Sequence, residues 1–116
     1  HADDPHFTIQ WISHCDVQSQ NAYYVVTWAI IYTPTPANVA SGVSGHLSLS
    51  TTSYNASTSS WDCNKDEYAQ NYLVYAKVER FEPNGDISCS GEIRSSALRC
   101  SDLYDGLTFT VNMYYP

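Results

Sequence analysis

Charge is scarce in this sequence: Asp, Glu, Lys and Arg make up only 15% of the 116 residues, and only five residues are basic. Twelve acids leave a net charge of −7, which repels phosphate backbones and argues against nucleic acid as a partner. The acids are scattered and the bases form no patch, so the charge reads as solubility. No apolar run approaches the roughly 18 residues of a membrane span. No charged-then-apolar leader opens the chain, as expected of a mature secreted protein whose signal segment has been removed. No C-x-x-C pair is present, which excludes a zinc ribbon or a thioredoxin-like redox motif. The G-x-S-x-G signature of a nucleophile elbow is also missing. No histidine follows His46, so the base, arginine and later histidine of a fungal-type ribonuclease cannot be assembled. No stretch carries a convincing helical period.

A hydrophobic fraction of 43% is enough for a packed core and argues against disorder. Residues 1–116 read as one domain, which at this length buries roughly two-thirds of its unfolded surface. Its polar surface must come from Ser, Thr, Asn and Gln, an extracellular composition. Cys15, Cys63, Cys89 and Cys100 suggest two disulfides, for which three pairings exist. Nearness in the chain favours Cys89–Cys100 and leaves Cys15–Cys63. On the loop-entropy model the short loop contributes ~3 kcal/mol and the long one ~4 kcal/mol. Asn55-Ala56-Ser57 is a glycosylation sequon, placed in an expected exposed loop from Ser53 to Ser60.

Strand patterns dominate. Phe7, Ile9 and Trp11 alternate with Thr8 and Gln10, the period of a half-buried strand. Tyr23–Tyr32 is β-branched and aromatic on both parities, which predicts either a central strand covered on both faces or the interface of a homodimer. Thr33-Pro34-Thr35-Pro36 breaks the ladder, and a loop is expected to Gly45, followed by a strand from His46 to Ser50. Tyr72–Phe81 places Val74, Ala76 and Val78 opposite Tyr75, Lys77 and Glu79. Glu82-Pro83-Asn84-Gly85-Asp86 predicts a hairpin turn leading into Ile87–Ile93. Leu107–Tyr115 closes the chain, and 95–105 has room for a short helical turn. The expected fold is all-β: a small disulfide-braced β-barrel or sandwich of about seven or more antiparallel strands.

Binding chemistry outweighs catalytic chemistry. Ten tyrosines and three tryptophans suit a recognition face, because tyrosine combines apolar area with a polar tip. Tyr23, Tyr24, Tyr75, Tyr114 and Tyr115 are the expected exposed set. Glu79-Arg80 and Glu92-Ile93-Arg94 read as surface pairs. His1 could ligate copper through its amine and imidazole if His6, His14 or His46 completed the site, the basis of a copper-dependent oxidoreductase alternative. Asp62, Asn64 and Asp66 have the opening spacing of a calcium loop, but Glu67 stands where glycine is needed and Leu73 where the bidentate acid belongs. No cofactor, metal or catalytic residue is therefore assigned.

The order of several elements resembles the Alternaria major-allergen family of fungal secreted proteins. The resemblance rests on Trp11-Ile12-Ser13, the pair Tyr23-Tyr24, Gly45-His46-Leu47-Ser48-Leu49, Trp61-Asp62-Cys63, Cys89 with Cys100, and Thr108-Phe109-Thr110-Val111 near Pro116. It departs where Thr51 and Thr52 stand in place of a family cysteine, and Cys15 appears earlier instead. The resemblance implies a secreted fungal β-barrel without an enzyme site, with Cys89–Cys100 as the family-like bridge. It also implies an apoplastic effector or elicitor that binds a host extracellular protein and modulates defence. A carbohydrate-binding module is the alternative that the aromatic surplus supports.

Overall fold

A computed structural model of the chain describes residues 4–17 and 19–116. Seven strands form two sheets: β1 (His6–Ser13), β2 (Tyr23–Tyr32), β3 (Ala37–Val43), β4 (Ser53–Ser57), β5 (Tyr72–Phe81), β6 (Ile87–Arg94) and β7 (Leu107–Met113). One sheet has the order β4-β1-β7 and the other β3-β2-β5-β6. Together they make an all-β sandwich. A 3-10 turn, Cys100–Tyr104, precedes β7. The neighbours are antiparallel except β1 and β7, which run parallel from Phe7↔Leu107 to Ser13↔Met113.

Alternation builds the core. β1 turns Phe7, Ile9 and Trp11 inward, β2 turns Tyr24, Val26, Trp28 and Ile30, and β5 turns Tyr72, Val74, Ala76 and Val78; all are buried. Phe7 meets Trp28 edge-on across the sandwich at 5.4 Å between centroids. Where β6 passes β7, a Cβ at Gly91 would overlap the Asn112 carbonyl, so only glycine allows that approach. Ser90 and Tyr114 then exchange two backbone hydrogen bonds of 2.9 Å, closing this side of the sandwich.

Two segments expected as loops are edge strands. Ala37–Val43 has no large side chain except its valines, and Gly42 lies so close to Trp28 that a Cβ would come within 2.7 Å of the indole. Ser53–Ser57 has a period of two that its length and small residues obscure: Tyr54 and the buried Ala56 face Ile9 and Phe7, while Asn55 stays exposed. His46 to Ser50, expected as a strand, makes only the bridge Leu47↔Tyr24, because β3 already occupies that flank of β2 from Thr27 to Tyr32. Asn-Gly turns the β5–β6 hairpin as expected, with Gly85 at φ +92°.

The disulfide pairing differs from the expectation. Cys15 bonds Cys89, and Cys63 bonds Cys100. Cys89 lies near the start of β6, and the strand carries the chain about 16 Å further to Arg94 at ~3.3 Å per residue. Cys100 follows beyond that, past the reach of a disulfide, which needs Cα atoms within about 7 Å. One bridge therefore staples each end of the sandwich. β2 is central as expected, hydrogen-bonded by β3 and β5, so it offers no free edge for a dimer. Its outer residues Tyr23, Val25, Thr27 and Ile31 are half-buried.

Candidate functional site

The outward parity of the parallel pair β1 and β7 sets Thr8, Gln10 and Ile12 beside Thr108, Thr110 and Asn112. Continuing that parity brings His14 over Tyr114, whose rings stack at 4.7 Å and 6°. His14 Nε2 also lies 3.1 Å from Asn112 Oδ1. Just beyond, the Asp16 amide donates to the Tyr115 hydroxyl at 2.9 Å, which draws the segment after Cys15 against the C-terminus. Ile12, Val17, Tyr114 and Tyr115 are each more than half exposed. Four exposed apolar side chains thus share one end of the sandwich, next to the Cys15–Cys89 bridge.

The other sheet contributes at the same end. Tyr23 opposes Phe81 across β2 and β5, and the two rings stack at 5.7 Å, with His46 on Tyr23 at 3.8 Å. Ile87, opposite Phe81, is exposed. Beneath lies Arg80, only 1% exposed, although the sequence reading put it in a surface pair. Arg80 Nη2 donates to the Asp16 carbonyl at 2.7 Å and Nε to Ser88 Oγ at 2.8 Å. Ser88 donates in turn to Glu82 Oε2 at 2.6 Å, and Glu82 lies 3.7 Å from Arg80 Nε. This buried cation holds the exposed segment Asp16–Val17 from below.

Of the five tyrosines expected on the surface, Tyr114 and Tyr115 are exposed at this end, and Tyr23 lies at the same end of the other sheet, half-buried beside His46 and Phe81. Tyr24 turns inward: it is 6% exposed and packs on Trp11 at 5.4 Å, because neighbours in a strand face opposite sides. Tyr75 lies about 20 Å away along β5 at ~3.3 Å per residue, donating to Glu92 Oε2 at 2.7 Å. Burial first, then that hydrogen bond, pushes its pKa up to about 12. The folded form therefore holds the phenol proton more tightly than the unfolded chain, whose tyrosine loses it near pH 10. Stability is expected to be fully present below pH 10 and to fall as pH rises toward about 12. Urea midpoints between pH 9 and 12 check this, and Tyr75→Phe is expected to flatten the decline.

Ile12, Val17 and Phe81 carry no assignment in the sequence, and His14 is read there only as a candidate copper ligand. The signal was there for Ile12, an apolar residue on the outward parity of Thr8 and Gln10. Tyr68, 83% exposed in the loop after Cys63, stands at the opposite end and was also overlooked. His6 holds the Asp4 carbonyl at 2.9 Å from Nδ1 at the far end of β1 from His14, and His1 lies outside the described residues. Among the described residues, no group of three or more His, Cys, Asp or Glu is placed to hold a metal. Asn64 uses its Oδ1 to accept the Asp66 amide at 2.9 Å, the bond of a local turn. No helix among the described residues is long and apolar enough to cross a membrane. Comparison with protein-family models, curated proteins and solved structures finds no match.

Proposed function

We propose that this chain is a secreted, non-enzymatic binding domain that engages a host extracellular protein through the Cys15–Cys89 end and modulates defence. The clustering of Ile12, Val17, Tyr114 and Tyr115, exposed together around stacked rings, carries the reading. Exposed apolar side chains gathered at one end suit an interaction surface, and tyrosine is a favoured anchor of such contacts. Charge gives the partner's character. Asp16 and Asp86 are exposed at this end, while Arg80, the one Lys or Arg placed there, is buried. The complement is a protein surface with an apolar centre and a basic rim. A role in host defence is what the likeness to fungal secreted allergens supports, and the two disulfides suit an oxidising compartment.

Protein fits this surface better than sugar. Tyr23 is stacked between His46 and Phe81, and Tyr114 lies under His14, whereas a polysaccharide platform needs ring faces open side by side. Immobilised protein is expected to retain a host apoplastic protein, and Tyr114→Ala with Tyr115→Ala to weaken that retention by about ten-fold or more. Infiltration of the pure protein into host leaves is expected to change a defence readout that the double variant leaves unchanged. Equal retention and equal response by both proteins would overturn the reading.

A further inference from the structure

We propose that the free edge of β3 pairs antiparallel with β3 of a second copy of this chain, joining two four-stranded sheets into one of eight strands. β3 ends its sheet, bonded to β2 alone. At the opposite end of that sheet, β6 is closed by β7 through Ser90 and Tyr114. The edge formed by β4 presents Asn55 of the sequon, whose side chain is exposed, so a glycan there would obstruct pairing. β3 has no such guard.

Edge strands are usually blunted by charge, above all by lysine, or by proline. From Val17 to Trp61 the chain has no Asp, Glu, Lys or Arg at all. Pro34 and Pro36 precede β3, and none lies within it. A register shift between Ile30 and Ile31 leaves Val39 opposite no residue of β2, so the regular run is Ala40 to Val43. On its outer side Ser41 is exposed and Val43 is 65% exposed. Both border a groove of about 290 Å³ shared with Thr27, Ala29 and Tyr75.

Charge also selects the occupant. Copies bearing −7 each repel through every acidic part of their surface, and this neutral edge lets two of them meet without opposing like charges. Its small side chains fit either side of a twofold axis, as an isologous contact requires. Strand addition of this kind takes its affinity from main-chain hydrogen bonds, and it covers Val43. The surface used is separate from the aromatic end, so neither reading depends on the other.

Sedimentation equilibrium up to about 1 mM, the weak limit of ordinary affinity, tests the pairing. Wild-type protein is expected to rise from 13.0 kDa toward twice that mass. Ser41→Lys with Val43→Lys brings like charges across the axis and is expected to weaken dimerisation more than about ten-fold. Both positions are exposed, and an unchanged circular dichroism spectrum shows that the variant folds. A wild-type monomer throughout the range, or a dimer undiminished in the lysine variant, overturns the proposal. So does a monomer whose β3 amides gain exchange protection only when a different protein is added, which would assign the edge to a foreign strand.

Discussion

Cys15→Ser together with Cys89→Ser is expected to lower the unfolding free energy by about 4 kcal/mol. The bridge closes a loop with a sequence separation of 74, and cross-linking so long a loop removes much of the unfolded chain's freedom. A second effect adds to it. The bridge holds the segment whose Asp16 carbonyl accepts from Arg80, so cutting it also loosens the support of the aromatic end. The Cys63–Cys100 bridge, with a separation of 37, is expected to be worth nearly as much, since the entropy grows only with the logarithm of loop length. Domains of this kind have only ~5–15 kcal/mol to lose, so full reduction is expected to unfold the protein or leave it marginal. Urea titrations with and without a reductant check the magnitude. A non-reducing digest checks the pairing: fragments joining Cys89 to Cys100 would refute the assignment.

Arg80→Met is expected to cost about 3–5 kcal/mol, the effect of removing one partner from a buried charge pair. Methionine fills much of the volume but makes none of the hydrogen bonds. Ser88 loses its donor, the Asp16 carbonyl loses the guanidinium, and Glu82 keeps a half-buried charge without its counter-ion. The physical cause can be separated from simple packing. Adding Glu82→Gln to Arg80→Met removes the stranded carboxylate, so the double variant is expected to be more stable than Arg80→Met alone. Equal or additive losses in urea unfolding would mean that packing, not the unpaired charge, sets the cost.

Much of the fold can be read along the chain. β1, β5 and β7 alternate large apolar with polar residues, and that period is local information, independent of what lies across the core. The turn at Asn84-Gly85 is equally local, because positive φ at Gly85 is a property of the residue. β3 and β4 escaped the same reading for related reasons: the inward Ala40 and Gly42 of β3 are small, and β4 is only five residues long, with Tyr54 and the small Ala56 alone turned inward. Small side chains give almost no amphipathic contrast, and what makes these segments strands is the partner beside each, β2 for one and β1 for the other.

The candidate site shows the same division. Tyrosine abundance suits a recognition surface, yet Tyr23 and Tyr24 look alike in the sequence and separate only when β2 receives an inner and an outer face. Arg80 reads as a surface charge beside Glu79 until the parity of β5 turns it inward toward Ser88 and Asp16. His14 meets Tyr114 because the first and last strands run parallel and in register, a relation between residues a whole chain apart. Cysteine pairing belongs with these cases. The strand periods and the four cysteines by themselves pointed to an all-β domain with two disulfides. The directions in which β1 and β6 cross the sandwich decided that Cys15 reaches Cys89, because a disulfide forms where Cα atoms come within a few ångströms, however near or far they lie along the chain.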